Sequence, residues 1–262
     1  MTIWEMLAVF AAGIGAGTIN AIVGSGTLIT FPVLLAAGLP PVTATVSNAL
    51  GLIPGSISGA IGYRAELAGQ RRRIIRLSIG SAAGALCGAF LLTRLPATAF
   101  ETIVPVLVTL ALVLVVLQPR ITRAVQRHRE QAAAKNPGTD PATAPDGGPL
   151  LFVGLLLASV YGGYFTAAQG IIYLSLMGIL LHDDLQRLNA VKNVLAAVVN
   201  TVAALFFVFA AHFDWTAVAL IAVGSTIGGQ LGARIGRRLP APVLRAFIVA
   251  VGSAAVLQLA TR

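Results

Sequence analysis

The sequence predicts an all-α polytopic membrane protein built as two inverted repeats of about five hydrophobic segments each, with the first pair in each repeat broken or re-entrant. Three observations predict it. The 262-residue chain is 57% hydrophobic and only 10% charged, with a mean hydropathy of +0.88, whereas soluble domains carry about 25% charged residues. Apolar runs of roughly 18 residues or more recur along the whole length, the mark of transmembrane helices. Finally, GSAAGALCGAFLLTRLPA (Gly80–Ala97) returns 144 residues later as GSTIGGQLGARIGRRLPA (Gly224–Ala241), with nine of eighteen positions matching and no gap.

Residues 1–118 form the first repeat. Its opening stretches, 3–23 and 27–38, are separated by Gly24-Ser25-Gly26, and Pro32 lies inside the second. Spans at 42–63, 74–93 and 98–118 follow. The N-terminus has no Lys or Arg ahead of its apolar run, which continues past signal-peptide length, so it reads as a retained membrane segment. Residues 119–149 are polar and rich in Ala, Pro, Gly and Asp, a composition expected to make a disordered cytoplasmic linker. Residues 150–262 repeat the scheme: 150–168 and 170–181, interrupted near Gln169-Gly170, then 190–211, 215–236 and 241–260. The segments 27–38 and 170–181 are only about twelve residues long, short of a full span, so each crosses by itself, re-enters as part of a hairpin, or makes one kinked crossing with its predecessor.

The charges orient the chain. Arg64, Arg71, Arg72, Arg73 and Arg76 crowd one loop; Arg120, Arg123, Arg127, Arg129 and Lys135 the linker; Arg234, Arg237, Arg238 and Arg245 a late turn. All three are expected on the cytoplasmic side of the inner membrane. Their equivalents in the other repeat, His212-Phe213-Asp214 and Arg94–Glu101, are poor in basic residues. Copies of one loop thus fall on opposite sides, which requires an odd number of crossings per repeat and an inverted relation between the halves. The net charge of +9 follows this loop pattern. No aromatics interleave with the clusters to stack bases, so a nucleic-acid partner is not expected.

Cys87 is the only cysteine, which excludes an intrachain disulfide and cysteine-type metal spacing; it is expected as a small packing residue. No cofactor is implied, and no nucleophile–base pair or metal cluster suggests an intramembrane enzyme. Glycines at four-residue spacing (Gly80, Gly84, Gly88; Gly224, Gly228, Gly232, Gly236; Gly51, Gly55, Gly59) form stripes that let helices approach closely.

The strongest local signal is GAGTINAIVGSGTLITFP, Gly15–Pro32. Glycines and a Ser interrupt an apolar run at membrane depth, leaving backbone groups without helical partners. Such backbone is tolerated only where it is buried in protein or lines a cavity. The break that starts a half-helix presents free N–H groups and a positive dipole, suited to an anion. Gly24, Ser25, Gly26 and Thr27 therefore line an anion site or permit tight packing. The matching segment, Tyr161–Gly178, breaks at Gln169 and Gly170.

Polar residues within the spans are Asn20, Ser47, Asn48, Ser56 and Ser58 in one half, and Asn189, Lys192, Asn193, Asn200 and Thr201 in the other. Asn20, Asn48, Gln169 and Asn193 would offer directional hydrogen bonds to a substrate, or simply join helices. Lys192 is the one fixed cation available near the bilayer centre, unless it snorkels to the cytoplasmic end from its place near the start of its span. No Asp or Glu occupies the middle of a span, which disfavours carboxylate proton relays and cation sites.

Together these motifs resemble the sulfite exporter TauE/SafE family of membrane permeases. The resemblance rests on Gly13–Gly17, Gly24-Ser25-Gly26-Thr27, Phe31-Pro32, Gly38-Leu39-Pro40, Ala44 and Ser47-Asn48. In the second half it rests on Tyr161-Gly162-Gly163, Lys192-Asn193, Asn200, the turn before Trp215, and the run from Gly224 to Arg238-Leu239-Pro240. Ser25 and Thr27 stand where glycine is more usual, and Gln169 where a Gly-rich turn is common. The resemblance implies a permease that moves sulfite, sulfonates or related sulfur-containing anions by alternating access. A different class, a non-transporting membrane scaffold, is also compatible with the composition, and self-association into a homo-oligomer is left open.

Overall fold

The computed structural model describes residues 1–135, 147–181 and 183–235, with 249, 250 and 253. The described residues are helical, and five of their helices are long and apolar enough to cross a membrane. This is a multi-pass membrane protein.

Helix α1 (Ile3–Ile22) opens with a capping box: the Thr2 hydroxyl accepts from the Glu5 N–H at 3.3 Å, and the Glu5 carboxylate accepts from the Thr2 N–H at 2.6 Å. It stops at Gly24, whose φ of +85° no longer fits a helix and is readily adopted only by glycine. Helix α2 (Thr27–Ala36) then folds back along α1, placing Gly26 against Ala16 and Ile29 against Gly15. Helix α3 (Pro41–Gly62) follows, then α4 (Arg71–Arg94) and α5 (Ala97–Lys135).

The second half starts with α6 (Gly148–Tyr164) and α7 (Gln169–Leu180). Here too the short helix returns: Gln169 lies against Gly162, Tyr173 against Ser159, and Leu176 against Gly154. Both twelve-residue segments therefore fold back beside their predecessors and do not extend them. Helices α8 (Leu185–Ala210) and α9 (Trp215–Ile235) complete the described fold.

Small residues decide which helices meet. In lipid there is no hydrophobic drive to bring helices together, so close van der Waals approach has to do it. Gly13 and Gly17 of α1 lie on Ile221 and Ser225 of α9, while Gly228 and Gly232 lie on Ile14 and Thr18, so α1 and α9 run parallel. Gly51, Gly55 and Gly62 of α3 lie on Ile221, Ser225 and Ala233, again parallel. The other half matches: Gly80, Gly84 and Gly88 of α4 lie on Phe152, Leu156 and Val160 of α6. The two groups meet through α3 and α8, which run antiparallel, with Ser56 beside Asn200, Gly59 beside Asn193 and Tyr63 clustered with Ala190.

The basic residues collect at one end. Asp183 binds both Arg73 and Arg187, and Arg76 donates to the Gly148 carbonyl at 2.6 Å. Burial alone would raise the Asp183 carboxyl. The hydrogen bonds from Arg73 and the Asp184 N–H, with the charges of Arg187 and Arg73, outweigh that and hold it below the usual carboxylate range.

Four expectations change. Residues 119–135, read as part of a disordered linker, continue α5 without interruption; ITRAVQRHREQAAAK is dominated by Ala, Arg, Gln and Glu, strong helix formers whose polarity hides nothing about backbone preference. Residues 136–146 lie outside the described residues. The second break falls at 165–168, just ahead of Gln169-Gly170. Cys87 is exposed and does not pack, because it falls with Leu86 and Phe90 on the side of α4 flanking the Gly84–Gly88 stripe that meets α6. Helix α4 starts at Arg71, so three of the loop arginines form its first turn. The expected span 241–260, Gly236 and His182 lie outside the described residues, apart from helical positions 249, 250 and 253.

Candidate functional site

The two hairpin tips touch. The Gly170 N–H donates to the Gly24 carbonyl at 3.1 Å, and a Cβ on Gly24 would overlap the Gly170 Cα. Only two glycines fit here. The contact puts Gly24–Thr27 next to Gly170 and close to Lys192, whose Cδ would lie 3.0 Å from a Cβ on Gly170.

Lys192 is fully buried. Helix α8 begins at Leu185, five residues ahead of the apolar stretch 190–211, because Asp184 caps it by accepting from the Gln186 and Arg187 N–H groups. Lys192 is thus well inside the helix and does not snorkel. Its Nζ donates to the Asn20 carbonyl at 2.9 Å and the Ala21 carbonyl at 3.4 Å.

Asn189 and Asn193 Nδ2 also donate to the Ala21 carbonyl, each at 3.2 Å. The last carbonyls of a helix have no partners within it, and the C-terminal end of its dipole favours a cation. Asn189, Lys192 and Asn193, one face of α8, therefore cap the broken end of α1 from outside. No carboxylate pairs with Lys192 among the described residues, and an ammonium carries three donors, so one N–H remains available.

The start of α2 is the complementary half. The N–H groups of Ser25, Gly26 and Thr27 have no acceptor among the described residues, and the Ser25 hydroxyl is buried without a partner. Buried polar groups normally find partners, and free N–H groups at a helix N-terminus suit an anion. The start of α7 is different: its Gly170 N–H is already bound to Gly24. The two breaks are therefore not equivalent, and the open donors belong to the first.

Asn48 holds this start in place. Its Oδ1 accepts from the Thr30 hydroxyl at 2.5 Å and its Nδ2 donates to Thr27 Oγ1 at 3.1 Å, fastening the first turn of α2 to α3. The side chain of Asn20 donates to Ser56 Oγ at 3.3 Å, which also accepts from Asn200 Nδ2 at 3.5 Å. Ser56 and Asn200 are separated by the repeat interval of 144, so they face one another where the two halves meet.

Gln169 is not brought into this group. Its Nε2 donates to the Tyr173 hydroxyl at 2.6 Å, which is also hydrogen-bonded to Ser159 at 2.5 Å and Ser81 at 3.5 Å. That network closes on itself between α4, α6 and α7. Sequence reasoning missed Thr30 and Tyr173. Thr30 was findable, standing one turn after Thr27 on the same face, whereas nothing local marked Tyr173. Among the described residues no group of His, Cys, Asp or Glu could hold a metal ion.

Comparison with known proteins places the chain among membrane transporters. The sequence model of the family described as sulfite exporter TauE/SafE matches residues 9–259. A probable membrane transporter protein YfcA of Escherichia coli strain K12 is 27% identical over 91% of this chain and 83% of its own length. A probable membrane transporter protein ORF9 of Sinorhizobium is 26% identical over 95% and 90%. One from Haemophilus influenzae is 24% identical over 94% and 91%. No solved structure matches the chain.

Proposed function

This chain belongs to the sulfite exporter TauE/SafE family and is a membrane transporter; from that premise we propose that it carries a small oxyanion, sulfite or a sulfonate, by alternating access across the inner membrane. The observation that carries the proposal is the pairing of an unneutralised, fully buried Lys192 with the open N–H groups and orphan hydroxyl at the start of α2. A compact oxyanion supplies what both lack, a negative charge and several acceptors in one small volume. Ser25, Gly26, Thr27 and the third Lys192 N–H bind it; Asn48 positions the α2 turn, and Asn189 and Asn193 position Lys192.

The halves are read as an inverted pair. The parallel and antiparallel contacts support this: α3 and α8 hold equivalent places and run in opposite directions, as do the groups packed on each. Each hairpin then enters from its own side, with the arginine-rich end in the cytoplasm. Rocking one half on the other would shift the Gly24–Gly170 contact and open the anion to one side at a time.

Proteoliposomes test this. Wild-type protein should accumulate radiolabelled sulfite or a sulfonate, and Lys192→Met, which keeps the length and apolar stem of the side chain, should abolish uptake while the protein stays folded. Uptake of no anion by folded wild-type protein would instead favour a membrane scaffold.

A further inference from the structure

On the face of the molecule away from the hairpins, α3 and α8 leave an open apolar groove of about 480 Å³. Ile57 and Ile61 form one wall; Ala197, Val198 and Thr201 form the other. Ile57 and Thr201 are 144 residues apart, so the groove runs over the junction of the two halves. It ends at Arg64, which is exposed, follows the last turn of α3 and lies at the arginine-rich end of the bundle. The Arg64 guanidinium has no acceptor among the described residues.

We propose that this groove is a binding site for an acidic phospholipid of the arginine-rich leaflet, with one acyl chain in the apolar channel and the phosphate on Arg64. The channel lies within the span of α3 and α8, where the surrounding medium is hydrocarbon, and its lining offers a chain no polar competition apart from Thr201. The far end supplies the one feature a neutral hydrocarbon filler would not need, a free cation at headgroup level. Arg71 and Arg72 begin α4 a few residues further on and add to the same positive field. Charge also argues against a second copy of the chain on this face. A two-fold pair would set Arg64 opposite Arg64 at one depth, and two concave surfaces would leave the channel unfilled.

The test uses detergent-purified full-length protein, native mass spectrometry and added phosphatidylglycerol or phosphatidylcholine. Wild type should retain phosphatidylglycerol in preference to phosphatidylcholine. Arg64→Gln, an exposed change, should cut that preference about fivefold, the effect of one basic residue on an anionic lipid surface. Ala197→Phe should fill the channel and lower retention of both lipids. Equal retention of the two lipids by wild type, or an unchanged preference in Arg64→Gln, overturns the proposal. In a Cys87→Ser background, Ile61→Cys should resist cross-linking between copies in phosphatidylglycerol vesicles; efficient cross-linking would put a second chain on this face and also overturn it. If Ala197→Phe does not fold, the Arg64→Gln preference decides alone.

Discussion

Gly24→Ala probes the contact on which the site depends. Gly24 has a φ of +85°, and a side chain in that left-handed conformation costs roughly 1–2 kcal/mol. The added Cβ would also overlap the Gly170 Cα, and overpacking a fixed contact costs about 1–3 kcal/mol. The combined loss is about 2–5 kcal/mol. Gly170→Ala makes the reciprocal clash, its Cβ falling 2.5 Å from the Gly24 Cα, without the backbone cost. It should lose only about 1–3 kcal/mol.

Because both methyl groups enter one gap, the double variant should lose less than the sum of the single losses. Equilibrium unfolding in mixed micelles, followed by helical circular dichroism, measures all four proteins. Equal losses for the two single variants would refute the backbone argument. Full additivity would refute the claim that the tips touch.

Other consequences follow from separate parts of the structure. Ala168 has a φ of +56°, so Ala168→Gly should raise stability by about 1 kcal/mol, measured by the same unfolding curves. The Asp183 pKa is lowered in the fold, so its ion pairs stabilise the protein above the usual carboxylate range, and that contribution disappears as pH falls through the lowered value. The melting-temperature gap between wild type and Asp183→Asn should therefore be present at pH 7, begin to narrow near about pH 4 and close only as the pH falls through the lowered value. Sided labelling tests the inverted arrangement: in a Cys87→Ser background, Arg72→Cys should react only from the cytoplasm and Phe213→Cys only from outside. Asn48→Ala should slow transport more than it unfolds the protein, since it frees the first turn of α2 without opening the α1–α9 interface.

The fold was legible where one physical rule dominates. Apolar length marked the spans, and the glycine stripes that marked the duplication also mark the tightest helix contacts, as at Gly84 and Gly228. The break at Gly24 was visible because Gly and Ser interrupt hydrocarbon-like sequence, whereas the second was read at Gln169-Gly170, a few residues late. Whether the following short segment extends its predecessor or folds back on it was not visible, since both choices bury the same residues; the Gly26–Ala16 contact decides it. The extension of α5 was misread because polarity was taken for disorder, although Ala, Arg and Glu favour helix in water.

At the site, Lys192 stood out as a lone cation, but its carbonyl partners come from the end of α1, 171 residues away for Ala21. No local pattern encodes that distance. Gln169 looked equivalent to the Gly24 break by position, yet Tyr173 one turn later takes its amide.

The anion site is tested most sharply by a crystal structure of the protein soaked with selenite, a heavier analogue of sulfite, with anomalous scattering used to locate it. One peak is expected within hydrogen-bonding distance of Ser25 Oγ, the Gly26 and Thr27 N–H groups and Lys192 Nζ, absent in Lys192→Met. A peak at the Gln169–Tyr173–Ser159 network, or none between the hairpin tips, would contradict it.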